Sequence, residues 1–149
     1  MLANQKRLEG LQTGGDSFCY FMLYYFDLEN PSARDIVVIK QGEFGLHDLQ
    51  LRVTDMDTST DIFQKAWGEL NAPAGYLNGR WALPPKIYYR IFFHARNGFW
   101  NQDLILKKSE KAQCWLAATR VLGHNGRDVI FLHIDNEYES EFGLPEWRD

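Results

Sequence analysis

Two Asn-Gly dipeptides, Asn97-Gly98 and Asn125-Gly126, stand between alternating apolar runs in the last third of the chain. Such dipeptides are the strongest short signal for a β-hairpin, because a two-residue type I′ turn needs positive φ at both central residues and Asn and Gly tolerate it. They also set a register that can be followed from strand to strand. With Asn97-Gly98 as the turn, Ala95 faces Trp100, Phe93 faces Gln102, Ile91 faces Leu104 and Tyr89 faces Leu106. A second turn at Glu110-Lys111 sets Leu106 against Trp115, Leu104 against Ala117, Gln102 against Thr119 and Trp100 against Val121. The Asn125-Gly126 turn then pairs Val121 with Ile130, Thr119 with Leu132 and Ala117 with Ile134. All three turns keep the apolar side chains on one face, and a slip of one residue would reverse that face. The register predicts a four-stranded antiparallel meander over residues 86–135.

The other face of this meander is mixed. One cross-strand row holds Phe92, Asp103, Ala118 and His133, and the next holds His94, Asn101, Arg120 and Phe131, with Tyr88 and Arg90 close by. Adjacent strands lie about 4.8 Å apart, so Asp103 and His133 are expected roughly 10 Å apart at the backbone. Exposed rings beside arginine and amide groups are the usual makeup of a binding patch. The expected ligand- or partner-binding set is therefore Phe92, His94, Asn101, Asp103, Arg120, Phe131 and His133. The other account of these residues is coverage by the N-terminal strands or by a dimer partner.

The chain of 149 residues is one domain's worth, enough to bury a core without metal or disulfide staples. The expected organisation is a short lead-in over residues 1–13 and a single β-sandwich domain over 14–149. With 45% hydrophobic residues, 15% aromatic residues and only 5 prolines, the composition excludes disorder. A net charge of −4 argues against nucleic acid as a partner, which needs a concentrated basic stripe. Lys107, Lys108 and Lys111 make only a small basic turn. No window approaches the run of about 20 apolar residues that spans a bilayer, and a polar stretch follows Met1 in place of a secretory core. The expected location is the cytoplasm. Cys19 and Cys114 are too few for a disulfide framework and read as reduced packing residues, with Cys114 on the face away from the main core.

Upstream, Leu2, Leu8 and Leu11 have loosely helical spacing in a segment too short to hold as a helix alone. Gly14-Gly15-Asp16 breaks it, and the run from Phe18 to Phe26 reads as a strand covered on both faces. Asn30-Pro31-Ser32 is a turn, followed by a β-branched segment over 35–40 and an alternating strand of Leu49, Leu51 and Val53 with Gln50, Arg52 and Thr54. At Asp61 the period changes. Ile62, Phe63, Ala66, Trp67 and Leu70 fit one face of a short helix over 61–70, with Asp61 as its cap and Gln64 in the capping-box position. Residues 71–85 read as an ordered loop or crossover, and the acidic end after Glu137 as a surface segment pinned by Trp147.

These elements predict an all-β chain, an antiparallel β-sandwich that is Ig-like in the broad sense and carries one short helix near 61–70. The alternative is an α+β open cone, a curved sheet folded over that helix. In the cone Gln102 and Thr119 point into a cavity; in the preferred sandwich they bond each other inside the core, since buried polar groups find partners.

Gly15-Asp16-Ser17 invites a hydrolase reading, but such a serine needs a strand before it and a helix after it, and here polar residues precede and a strand follows. A strand-entry turn is the preferred role. His94, His133, Asp103 and Asp135 are metal-ligand types without ligand spacing, so no metal and no cofactor are expected.

Gly14 to Phe18, Leu49 to Asp55, Ile91 to Trp100 and Ala118 to Val121 together resemble blocks of an uncharacterised bacterial β-rich C-terminal domain, over most of the chain from residue 14 onward. The resemblance implies a β-sandwich and no activity, because the function of that group is unknown. The functional expectation is a non-enzymatic protein-interaction or oligomerisation module, such as a homodimer, with small-ligand binding of a sugar or metabolite as the alternative. An enzyme ranks last, for want of two titratable groups in mutual reach.

Overall fold

The computed structural model describes residues 2–27, 32–82, 86–123 and 126–149. Helix α1 (Leu2–Thr13) precedes nine strands: β1 (Phe18–Asp27), β2 (Ser32–Gln41), β3 (Leu46–Asp55), β4 (Thr60–Leu70), β5 (Ala74–Ala82), β6 (Lys86–Ala95), β7 (Gly98–Ser109), β8 (Cys114–Leu122) and β9 (Val129–Ile134). A single turn of helix, α2 (Tyr138–Phe142), follows them. The strands form two antiparallel sheets, β1-β2-β5 and β4-β3-β6-β7-β8-β9, giving an all-β, sandwich-like fold.

The main core lies between the sheets. Alternation decides which residues fill it: Cys19, Phe21 and Leu23 from β1, Leu49, Leu51 and Val53 from β3, and Ile91, Phe93, Leu104 and Leu106 from β6 and β7. Gln102 crosses this core. Its Nε2 donates to Thr119 Oγ1 at 2.8 Å, the bond the sandwich reading expects. The same amide also accepts from Phe21 N–H at 2.6 Å and donates to Phe21 C=O at 2.8 Å, while Trp100 Nε1 donates to Cys19 C=O at 2.8 Å. Strand β1 is one edge of the small sheet, and side chains of β7 satisfy backbone groups that a further strand would otherwise bond.

The hairpin registers differ from expectation in an instructive way. Ala95 pairs with Gly98, so the two-residue loop is Arg96-Asn97, and Phe93 faces Trp100 instead of Gln102. Arg96 and Asn97 are committed to tertiary bonds: Arg96 N–H donates to His47 C=O, and the Asn97 amide donates to Gly15 and Ser17 C=O at 3.0 and 2.8 Å. Positive φ falls on Gly98 alone, at 132°. Similarly Ser109 pairs with Cys114, so Leu106 faces Ala117 and a four-residue loop replaces the expected two. Both changes move each strand by two positions relative to its partner, which leaves the faces as predicted.

Between β8 and β9 the shift is odd. Val121 pairs with Phe131 and Thr119 with His133, and a bulge between Val121 and Leu122 absorbs one residue of β9. This moves Phe131 and His133 to the inner side and Leu132 and Ile134 to the outer side, the reverse of the expected arrangement, with Ile130 as the extra residue of the bulge. Asn125, half of the expected turn, lies outside the described residues, as do Asn30 and Pro31.

The expected helix over 61–70 is a strand, and the cone built on it falls with it. Phe63, Lys65 and Trp67 alternate inward while Gln64 and Ala66 stay exposed. At Gly68, with φ of 89°, the register against β3 shifts and brings Leu70 inward. A two-residue alternation with one slip places apolar residues at i, i+4 and i+7, the spacing a helix would also give. Asp61 is no cap: its carboxylate accepts from the Thr54 hydroxyl at 2.6 Å across the strand pair. The 71–85 segment also differs, since it contains β5, the third strand of the small sheet.

From Ala3 to Thr13 helix α1 is exposed except at Gly10, where a side chain would collide with the Phe44 ring. Its C-terminal end is tied down by cations. His47 Nε2 donates to Leu11 C=O at 2.8 Å, Nδ1 bonds the Glu69 carboxylate, and Arg96 donates to Gln12 C=O at 2.9 Å. Both His47 nitrogens thus face acceptors, which requires the imidazolium, and the Glu69 bond with the Leu11 bond raises the His47 pKa above its ordinary value. A raised histidine pKa stabilises below the unfolded value of about 6.5 and loses that contribution as pH rises through the folded value. The protection of α1 amides, after correction for base-catalysed intrinsic exchange, is expected to fall as pH rises through the folded value. His47→Gln should abolish the pH dependence; an unchanged profile would show that His47 does not hold the helix.

Candidate functional site

The outer face of the six-stranded sheet, where the candidate residues were expected, is divided in two by the C-terminal segment. One half is closed. Arg90, Asp103 and Arg120 form a row across β6, β7 and β8. The Asp103 carboxylate, in a residue 1% exposed, accepts from Arg90 Nε at 2.7 Å and from Arg120 Nε at 2.9 Å. Both guanidiniums also donate to Arg148 C=O. Arg148 N–H donates to the Tyr88 hydroxyl at 2.8 Å, and the Arg148 guanidinium, stacked over the Tyr88 ring, pairs with Asp57 at 2.6 Å. Arg120 lies 4.9 Å from the Trp147 ring.

Apolar contacts complete this closure. Tyr88, Ile105, Leu116, Ala118 and Tyr138 form a second buried cluster, with Cys114, Ile134, Phe142 and Trp147 packed against it. Cys114 therefore lies away from the main core, as expected, and Trp147 does pin the acidic end. Burial, with the Glu146 charge adding to it, pushes the Tyr138 hydroxyl up to about 12. Lys107 sits over the Tyr138 and Phe142 rings, where burial lowers its pKa.

The other half is open. Opposite Phe92 stand Arg52 of β3 and Asn101 of β7, and opposite His94 stand Gln50 and Phe99. The Arg52 guanidinium rests 4.5 Å from the Phe92 ring centre. His94 stacks on Phe99 with centroids 4.4 Å apart, and Phe99 is 66% exposed. Two shallow depressions flank these rings. One, of about 270 Å³, is lined by Gln50, Arg52, Gln64, Phe92, His94 and Phe99; the other, of about 210 Å³, by Phe92, Phe99, Asn101 and Gly123 among others.

Of the seven expected residues, Phe92, His94 and Asn101 lie together in the open half. Asp103 and Arg120 belong to the closed half, where they hold the chain's own C-terminal segment. Phe131 is on the opposite side of the sheet, stacked on Tyr20 at 4.4 Å, and His133 is exposed with Asp135 3.0 Å away. The N-terminal strands cover the apolar face, so what partly covers the mixed face is the tail. Arg52, Gln50, Gln64 and Phe99 were missed. The alternation of β3 marks Gln50 and Arg52 as outward-facing, but no local signal says that β3 pairs with β6.

Ser17 is buried and its hydroxyl accepts from Phe44 N–H at 3.1 Å, which fits a structural turn. Among the described residues no three His, Cys, Asp or Glu side chains converge as metal ligands, and no helix is long and apolar enough to cross a membrane. Comparison with protein-family models, with curated proteins and with solved structures finds no match to this chain.

Proposed function

We propose that this protein is a non-enzymatic interaction module that binds a protein partner through the open half of its outer face. The carrying observation is the juxtaposition of Arg52 on Phe92 and His94 on Phe99, four side chains held by β3, β6 and β7. Aromatic rings and arginine on a rigid sheet supply large contact area at little entropic cost, which is the composition of binding hot spots. The depressions fall below the roughly 300–1,000 Å³ of small-molecule sites and are shallow, which favours a protein surface over a metabolite as the partner.

The test is affinity capture from source cells, followed by titration of the captured partner in purified form. Phe99→Ala and Arg52→Ala are each expected to weaken binding by about tenfold or more while leaving the melting temperature in place. Unchanged binding by both variants would overturn the assignment of this face. A metabolite that raises the melting temperature of the wild type but not of Phe99→Ala would instead establish a small-ligand site.

A further inference from the structure

We infer that the closed half of the outer face is a peptide-binding cradle. The segment from Gly143 to Asp149 fills it in cis, and a partner's extended segment presenting an aromatic residue followed by arginine fills it in trans. The cis segment lies on the face as a strap. It adds no strand to either sheet, and α2 ends before it, closed by the Gly143 N–H on Glu139 C=O. Two residues anchor it. Trp147 packs on the cluster of Tyr88 and Tyr138, with its ring 4.9 Å from the Arg120 guanidinium. Arg148 is read through backbone and side chain together. Its N–H donates to the Tyr88 hydroxyl at 2.8 Å and its C=O accepts from Arg90 and Arg120. Its guanidinium lies 4.7 Å from the Tyr88 ring centre and pairs with Asp57 at 2.6 Å.

The sheet builds the cradle. Asp103 engages Nε of Arg90 at 2.7 Å and of Arg120 at 2.9 Å, which fixes both guanidiniums on the strands and turns Nη2 of each toward a peptide carbonyl. A backbone N–H and a backbone C=O belong to almost any peptide, so these contacts grip an extended segment without reading its sequence. Selection falls to the Tyr88 ring and the Asp57 carboxylate, which suit arginine, and to the apolar cluster beside Arg120, which suits an aromatic ring.

The strap is the exchangeable part of this face. Leu144 is 75% exposed, and Glu146 and Asp149 are exposed as well, so little apolar area opposes its release. Gly143 supplies the hinge, since its φ of 82° is open to glycine and the space around it is empty. Tethered there, the strap competes at an effective concentration on the order of 1 mM, so a free segment of equal quality binds weakly until the strap is loosened. Release uncovers Arg90 and Asp103 beside Phe92 and Asn101 on the same face of β6 and β7, which extends the open patch across the sheet.

The test uses the full chain and a peptide of residues 143–149, acetylated and amidated so that no terminal charge contributes. In the double variant Trp147→Ala, Arg148→Ala, the residue-148 amide is expected to lose the protection from exchange that the Tyr88 hydroxyl gives it, with the circular-dichroism spectrum unchanged. The peptide should then bind this variant at least about tenfold more tightly than the wild type in titration calorimetry. Arg148→Ala alone should act in the same direction with a smaller gain. Peptides carrying Trp147→Ala or Arg148→Ala should each lose the gain. A residue-148 amide that stays protected would show that these side chains do not anchor the strap, and would overturn the inference. A released strap without a gain in peptide affinity would make the segment a structural tail and overturn it too, as would equal binding by the altered peptides. Phe99 and Arg52 enter none of these readouts, so the open patch is tested separately.

Discussion

Asp103→Ala is expected to lower the stability of the fold by about 3–5 kcal/mol, the range for removing one partner from a buried ionic pair. Asp103 is the common acceptor of two largely buried guanidiniums, and without it Arg90 and Arg120 are left as like charges on either side of β7, two strand spacings apart. The loss is not confined to the charge. Both arginines also hold Arg148 C=O, so the C-terminal segment should loosen, and proteolysis between Glu137 and Arg148 should accelerate. Asp103→Asn retains one acceptor and is expected to fall in between. Urea denaturation followed by circular dichroism measures the effect; a loss below about 1 kcal/mol would place the cluster with exposed ion pairs of little consequence.

Gln102→Leu is expected to be comparably severe for the opposite reason. The volume is nearly kept, so the effect isolates the polar groups. Gln102 bonds Phe21 N–H, Phe21 C=O and Thr119 Oγ1, all in the core between the sheets. Each buried group that loses its partner costs about 1–3 kcal/mol, and the sum should reach about 3–5 kcal/mol. Thr119→Val removes the hydroxyl that donates to Asp103 C=O and accepts from Gln102, but leaves both bonds to Phe21, so it should cost less. If the two variants proved equal, the docking of β1 on β7 would not depend on Gln102.

The partition of residues 86–122 into a core face and an outer face could be read from the chain, although both turns were centred one residue away from their true positions. Turn position and face assignment are separable: moving the loop from Asn97-Gly98 to Arg96-Asn97 changes every pair and no face. Strand β9 lacked that protection, because a bulge changes the count by one and reverses Phe131 and His133 together. The same ambiguity misled the reading of 61–70, where the slip at Gly68 gave a strand the spacing of a helix.

The candidate site shows the same boundary. Phe92, His94 and Asn101 were legible because they alternate on strands whose order follows the chain. Arg52 and Gln64 were not, since β3 joins β6 across the intervening β4 and β5. Asp103 and Arg120 lie on the outer face as expected but hold the chain's own C-terminal segment, a contact between β6–β8 and residues 138–148 that has no periodic signal.

By itself, the amino-acid sequence determined the antiparallel meander, the two faces of its first three strands and the bond between Gln102 and Thr119, all of which follow from two-residue alternation over short separations. Tertiary structure alone decided which parts of the outer face stay open, that β1 is held by side chains of β7, and that β9 ends the sheet. Those outcomes depend on contacts between residues far apart in the chain, where burial and hydrogen-bond satisfaction act on the assembled sheets, and no local pattern encodes them.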